Sequence, residues 1–190
     1  MKKSEPIKPF ASAAQWRDWL TKNHTKSSGI WLRIYKKGSR KKTVTYAEAL
    51  DEALCYGWID GQKDKYDAES FLQKFTPRRP KSIWSKRNRE HVERLTKEKR
   101  IFAAGQKEVD AAKKDGRWDK AYDAGSTMKV PEDFLRELKK DVRAYDFFKT
   151  LNRANTYAIA WRLQTAKKPE TRARRMQTLL GMMQQGKKLH

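Results

Sequence analysis

Every segment with the period-two pattern of a β-strand lies in the first 80 residues of the chain. The clearest, residues 30–35 (IWLRIY), alternates β-branched and aromatic side chains, and two further short candidates follow at residues 58–63 and 70–75. The capping boxes at Ser12–Gln15 and Thr45–Glu48 begin two helices, one before and one after the first strand. The order helix, strand, helix, strand, strand is typical of an α+β unit.

The apolar pattern after residue 80 is helical throughout, with helices predicted over residues 85–98, 101–114, 131–139, 142–150, 154–167 and 169–185. We therefore predict an α+β fold. A small, mostly antiparallel sheet with helices forms an N-terminal domain, residues 1–125, and a small all-helical C-terminal domain follows, residues 126–190. The boundary is placed in the turn-rich segment 123–127.

The chain carries 45 Lys and Arg residues against 23 Asp and Glu residues, a formal net charge of +22. A field of this size attracts polyanions, so the composition favours an anionic partner such as DNA, RNA, anionic lipid headgroups or phosphorylated metabolites. The alternative, that these cations only solubilise the surface, is equally open. The aromatic content of 11% argues against disorder, because such side chains bury large apolar areas.

Cys55 is the only cysteine, so no internal disulfide can form, which fits a reducing compartment. The first nine residues contain Glu5, Pro6 and Pro9 where a secretion signal needs an unbroken apolar stretch. No window approaches the ~20 apolar residues of a membrane span. We therefore predict a cytoplasmic protein without a transmembrane segment, and its oligomeric state stays open.

Residues 75–88 (FTPRRPKSIWSKRN) are the segment most suggestive of binding. Two adjacent guanidinium groups, two hydroxyls and an indole precede a predicted helix start, where free N–H groups and the helix dipole favour an anion. The predicted anion-binding residues are Trp58, Asp60, Arg78, Arg79, Lys81, Ser82, Trp84, Ser85 and Asn88. In the alternative interpretation the serines cap and turn, the indole packs in the core, the arginines are solvated, and Asp60 belongs to an ordinary Asp-Gly turn.

A second basic face is predicted on the last helix. Lys168, Arg172 and Arg175 fall at positions i, i+4 and i+7, which share one side of a helix. Another, apolar side of the helix is predicted to carry Ala173, Met176, Leu180 and Met183. The alternative is a docked terminal helix whose charged side faces water.

No catalytic set is predicted. Cys55 lies on an apolar helix face, which favours a buried, inert thiol. His91 has Arg87 and Arg94 at helical spacing, which suits a phosphate contact better than a general base. The sequence has neither a His/Cys cluster at metal-ligand spacing nor a Walker or G-x-G-x-x-G loop, so neither a metal nor a nucleotide cofactor is predicted.

Three separated motifs together resemble one protein family. Residues 56–61 (YGWIDG), 75–88 and 166–175 (AKKPETRARR) are similar to the YdeI/OmpD-associated family, also described as bacteriocin-protection proteins. The resemblance implies an N-terminal YjbR/CyaY-like α+β domain, a small helical domain, and an association with envelope stress and bacteriocin resistance. It implies no catalytic residues.

Three hypotheses of function follow. The favoured one is a non-enzymatic basic accessory protein that binds an anionic partner, with nucleic acid ahead of the others. The second is an enzyme or sensor that binds a phosphorylated or carboxylated small molecule near Asp60, Arg78, Ser82 and Trp84. The third is a protein-interaction module that docks an acidic protein. No recognition-helix or RNP signature names a DNA or RNA binding mode.

Overall fold

The structure is a computed structural model that describes residues 5–123 and 128–190. The elements in chain order are β1 (Ile7–Pro9), α1 (Ala13–Asn23), β2 (Ile30–Tyr35), α2 (Tyr46–Cys55), β3 (Trp58–Lys65), β4 (Ser70–Pro77), α3 (Lys86–Lys97), α4 (Ala103–Lys114), α5 (Glu132–Leu138), α6 (Val142–Lys149), α7 (Arg153–Gln164) and α8 (Pro169–Gln184). The chain divides into two compact units, Met1–Ala121 and Tyr122–His190. The predicted boundary segment, apart from Asp123, lies outside the described residues.

The four strands form one sheet in the order β1-β2-β4-β3. Strand β4 pairs antiparallel with β2, from Ile30 opposite Phe75 to Tyr35 opposite Ser70, and antiparallel with β3 on its other side. Among the strands of the described residues, only β1 runs parallel to its neighbour. The predicted fold class, α+β with a mostly antiparallel sheet followed by a helical region, is confirmed.

Strand β1 was not predicted, because prolines at positions 6 and 9 argue against a strand. The edge position of β1 explains the difference. This strand has a neighbour on one side only, so a proline, which lacks an N–H, removes no inter-strand hydrogen bond on the open side. The β3–β4 hairpin is also longer than predicted. Strand β3 continues to Lys65 after an irregularity between Asp60 and Lys63, and it leaves a turn of only four residues, 66–69.

Helices α1 and α2 bury their apolar stripes in a core that they share with the sheet. Trp16 and Leu20 of α1 are fully buried with Ile30 and Leu32 of β2. The Trp16 indole also donates to the Ala49 carbonyl at 3.0 Å, which satisfies the one polar atom that this ring buries.

The predicted capping box of α2 is present. Glu48 accepts from the Thr45 N–H at 2.8 Å, and the Thr45 hydroxyl accepts from the Glu48 N–H at 3.3 Å. Helix α4 approaches the end of α2 so closely that a Cβ at Gly105 would overlap the Cys55 carbonyl oxygen. Only glycine therefore permits this contact.

A buried carboxylate joins three parts of the N-terminal unit. Glu52 of α2 is 1% exposed, and its carboxylate accepts from Arg17 of α1 at 2.6 and 2.8 Å and from Arg100, after α3, at 2.7 Å. Two guanidinium groups thus compensate one buried negative charge. The charge network continues over the surface from Arg100 to Glu98.

The second unit is helical, with one further core. The residues that share this core are Phe134, Leu138, Ala144, Ile159, Leu163, Leu179 and Met183. Buried Asn155 of α7 accepts from the Leu189 and His190 N–H groups at 2.9 and 3.1 Å and so holds the C-terminal segment on this unit. Among the described residues, no helix is both long and apolar enough to cross a membrane.

Candidate anion-binding surfaces

Arg78 is buried rather than presented to a ligand. Only 6% of the residue is exposed, and its guanidinium carbon lies 3.6 Å from the centroid of the Trp84 ring. One terminal nitrogen donates to the Ile83 carbonyl at 2.9 Å. Trp84 is 2% exposed and packs on Trp118 with ring centroids 5.0 Å apart. Arginine and indole therefore form a stacked pair within the unit, where the cation–π attraction is strong because water is excluded.

The loop after Arg78 presents two exposed cations, Arg79 and Lys81. Lys81 adopts φ 62°, and the Ser82 N–H donates to the Arg79 carbonyl at 3.0 Å. With Pro80 in the second position, this is the arrangement of a type II turn. Within the described residues, the Ser82 hydroxyl and the Trp84 indole N–H are buried without a hydrogen-bond partner.

The remaining residues of the predicted set serve local structure. Ser85 caps α3 by accepting from the Asn88 N–H at 3.1 Å, and both residues are buried. Trp58 donates its indole N–H to the His24 carbonyl at 3.1 Å. Asp60, on β3, accepts from the Tyr46 hydroxyl at 2.7 Å. The first predicted set therefore divides into two exposed cations and a largely structural remainder.

Two of the three predicted cations on α8 bind other parts of their own unit. Arg172 makes a two-point contact with Asp133, at 2.7 and 2.9 Å, and Arg175 donates to the Arg162 carbonyl at 2.7 Å. The hydrogen bond from Arg172 holds the pKa of Asp133 below its ordinary value. Lys168 remains exposed at the helix start.

Three of the four residues predicted for the apolar side of α8 contact the core of the unit: Met183 is buried, and Met176 and Leu180 are partly buried against it. Ala173 is exposed instead, and Leu179, which was not predicted, is buried. Arg172 lies seven residues before Leu179, which is close to two full turns, so the two residues share one side of the helix. The Arg172 guanidinium group binds Asp133 of α5 there.

His91 and Cys55 also have structural surroundings. The His91 Nδ1 atom lies 2.7 Å from Asp51, which also accepts from Arg94 at 2.6 Å. A carboxylate therefore occupies Nδ1, which disfavours the predicted phosphate contact through that nitrogen. Burial raises the pKa of the Cys55 thiol to about 12, which keeps it protonated and inert. In the described parts of the chain, no group of three or more His, Cys, Asp or Glu side chains could hold a metal ion.

An open basic cleft lies at the other end of β4, beside the turn of the β3–β4 hairpin. It has a volume of 860 Å³ and is lined by Lys36, Lys37, Lys63, Asp64, Lys65, Asp67, Ser70 and Phe71. Four lysines face two aspartates there, so the cleft carries a net positive charge. Because β4 spans eight residues, this cleft and the Arg79 loop are separated by about 25 Å.

Part of the charge around this cleft holds the hairpin turn in place. Arg33 of β2 donates to Asp67 at 2.6 Å and to the Ser70 hydroxyl at 3.0 Å, and the Lys36 ammonium donates to the Ala68 carbonyl at 2.8 Å. A hydrogen bond from Ser70, with smaller contributions that include Arg33, keeps the pKa of Asp67 below its ordinary value. The turn is therefore fixed by its own network, and Asp67 is already neutralised.

The other lysines of the cleft are available to a ligand. Lys37, Lys63 and Lys65 are exposed, and the Lys63 ammonium lies 4.3 Å from the centroid of the Phe71 ring. Sequence reasoning missed this surface, because Lys36 to Lys42 and Lys63 to Lys65 are about 25 residues apart along the chain. The one available signal was the density of cations in residues 36–42 (KKGSRKK), the segment between β2 and α2.

Comparisons with known proteins give two family matches. Residues 8–108 match the model of a domain of unknown function, DUF8412, and not a YjbR/CyaY-like domain. Residues 127–186 match the family described as "Bacteriocin-protection, YdeI or OmpD-Associated", so the resemblance is supported for that part of the chain. Neither the curated proteins nor the solved structures gave a match. The first match covers more than half of the chain, so the chain belongs to the DUF8412 family, and its C-terminal part matches the bacteriocin-protection, YdeI or OmpD-associated family.

Proposed function

We propose that this protein is a basic accessory protein that binds nucleic acid through the cleft beside the β3–β4 hairpin. The observation that carries the proposal is the lining of the cleft: four lysines converge on a concave surface, against two aspartates. Concave basic surfaces concentrate the electrostatic field and so raise the local concentration of anions. The match of residues 127–186 is consistent with a role of the bacteriocin-protection kind.

The cleft suits this role better than the Arg78 segment does. A phosphate needs an accessible guanidinium or ammonium group, whereas Arg78 is stacked on Trp84 and bound to the Ile83 carbonyl. Arg79 and Lys81 are exposed and enter the proposal as a second, weaker contact region.

The test is the salt dependence of binding. A fluorescently labelled 20-nucleotide DNA, as a single strand and as a 20-base-pair duplex, is titrated with the protein between ~50 and ~200 mM salt, and anisotropy gives each affinity. Each neutralised phosphate releases condensed counterions, so the log–log slope should be about −0.9 for each contact with the duplex and about −0.7 for each contact with the single strand. The triple variant Lys37→Ala, Lys63→Ala, Lys65→Ala should bind more weakly and should flatten this slope by about two to three units.

A matched variant distinguishes binding at the cleft from a general effect of net charge. Lys22, Lys107 and Lys114 are exposed lysines of the same unit that do not line the cleft. Their replacement by alanine removes the same three charges and should change the slope by less than about one unit. Equal effects of the two triple variants would show that only net charge matters. No binding of wild-type protein to either the single strand or the duplex at low salt would refute the nucleic-acid proposal and favour a small anionic ligand or an acidic protein.

A further inference from the structure

The cleft contains an aromatic ring in addition to its lysines. Phe71 lines the cleft and is only partly buried, with its inner side packed on the core of the unit. The Lys63 ammonium lies over this ring, and Lys65 is the cross-strand partner of Phe71 on the same side of the sheet. The Phe71 ring and the side chains of two lysines therefore lie next to one another in the cleft.

A second aromatic ring is held in an exposed position at the hairpin turn. Tyr66 is 48% exposed, and the guanidinium carbon of Arg33 lies 4.8 Å from its ring centroid and 4.7 Å from that of Tyr35. Arg33 is itself fixed by Asp67 and Ser70. Because the contacts of Arg33 restrain Tyr66, stacking a ligand on this ring loses less conformational entropy than stacking on a free side chain.

Aromatic rings beside ammonium groups suit single-stranded nucleic acid better than a duplex. A duplex presents its phosphates outward and keeps its base faces stacked inside, whereas a single strand offers phosphates and base faces alternately. The volume of 860 Å³ lies in the range of small-molecule pockets, which is room for a few nucleotides and not for a double helix.

We infer that the cleft binds single-stranded nucleic acid, with one base stacked on Phe71 and the adjacent phosphates on Lys37, Lys63 and Lys65. The strand then continues past the hairpin turn, where a further base stacks on Tyr66. This inference rests on the proposed function and specifies its ligand. The Lys63 ammonium leaves the Phe71 face when a base enters, since an exposed cation–π contact is weaker than base stacking. Lys63 then binds the adjacent phosphate.

The test compares three labelled 12-mers at one salt concentration: single-stranded oligothymidylate, a duplex, and an abasic strand that has phosphates but no bases. Wild-type protein should bind oligothymidylate at least about fivefold more tightly than the abasic strand, because each stacked base contributes binding. Phe71→Leu should weaken oligothymidylate binding by roughly fivefold to a hundredfold and should change binding of the abasic strand by less than about twofold.

Two controls keep the result interpretable. Phe102→Leu makes the same substitution at a ring that is 45% exposed in the same unit but outside the cleft, and it should leave all three affinities unchanged. Tyr66→Ala changes a residue outside the core, so it tests stacking even if Phe71→Leu unfolds the hairpin. Tyr66→Ala should lower affinity for oligothymidylate alone.

The outcomes for the two proposals are distinct. Equal binding of all three 12-mers, with no effect of Phe71→Leu or Tyr66→Ala, would overturn the single-strand inference and leave nucleic-acid binding intact. No binding of any 12-mer would refute the proposed function itself. Thymidine monophosphate in excess should compete poorly, since it has one base and one phosphate. Full competition by the mononucleotide would overturn the inference and indicate that the ligand of the cleft is a free nucleotide and not a single strand.

Discussion

Replacing Glu52 by glutamine tests whether its buried charge holds the N-terminal unit together. The carboxylate is 1% exposed and accepts hydrogen bonds from Arg17 and Arg100. Glutamine keeps the shape of the side chain but removes its charge and turns an NH₂ group toward a guanidinium donor. Arg17 then loses its carboxylate partner, and Arg100 keeps only Glu98.

The magnitude follows from the burial of each partner. Removal of one partner of a buried ion pair costs about 3–5 kcal/mol when the other charge stays buried. The side chains of Arg17 and Arg100 are 44% and 34% exposed, so both can turn partly into water. We therefore expect a loss of about 2–3 kcal/mol. For a unit of this size that corresponds to a fall in Tm of about 8–12 °C.

Tryptophan fluorescence during thermal unfolding measures this change selectively, because six of the seven tryptophans lie in the N-terminal unit. Glu98→Gln is the control. Glu98 also binds Arg94 and Arg100 but lies at the surface, so its loss should shift the midpoint by no more than about 2 °C.

A second variant tests the physical cause. Replacing Arg17, Glu52 and Arg100 together by Met, Leu and Met should recover most of the lost stability, since no buried charge is left unpaired. A Tm of Glu52→Gln within about 2 °C of wild type would refute the reasoning, because the carboxylate would then contribute nothing that an amide cannot. Failure of the triple variant to recover would assign the loss to packing instead of charge.

Three further outcomes are expected. Trp84→Ala should lower the stability of the N-terminal unit by roughly 3–5 kcal/mol in chemical denaturation, whereas Lys42→Ala should leave the midpoint unchanged; equal midpoints would contradict the burial of the indole. Gly105→Ala should destabilise the N-terminal unit by about 1–3 kcal/mol, because the new Cβ meets the Cys55 carbonyl. Gly181→Ala, inside α8 with open space around it, should stabilise the helical unit by up to ~1 kcal/mol. Thermal melts in which both variants shift the midpoint in the same direction would contradict this. Because the pKa of Asp133 is lowered in the folded protein, its bond to Arg172 stabilises the fold above about pH 4, and this contribution is lost as the pH falls further. The unfolding midpoints of wild type and Asp133→Asn, measured by circular dichroism, should therefore converge in acid. A constant difference between the two midpoints down to pH 2 would refute the assignment.

The sequence by itself determined most of the secondary structure and the fold class. The capping residues Ser12, Thr45 and Ser85 all begin the helices predicted from them, because a cap acts on backbone N–H groups two or three residues away. The alternation in residues 30–35 likewise predicted β2, since the period of two places one side of a strand in the core. Such local interactions are readable without knowledge of the rest of the chain. The short edge strand β1 was missed because its stability comes from β2 and not from its own residues.

Only the tertiary structure decided which cations are available to a ligand. Arg78 and Arg172 are indistinguishable from free arginines in the sequence, yet one is stacked on Trp84 and the other is bound to Asp133, 39 residues away. Conversely, Lys37 and Lys63 approach a common cleft only because β4 pairs with both β2 and β3. The physical reason is that charge acts through space: a guanidinium keeps its charge wherever it lies, but its partners, its hydration and its access to an anion depend on which distant residues the fold brings to it.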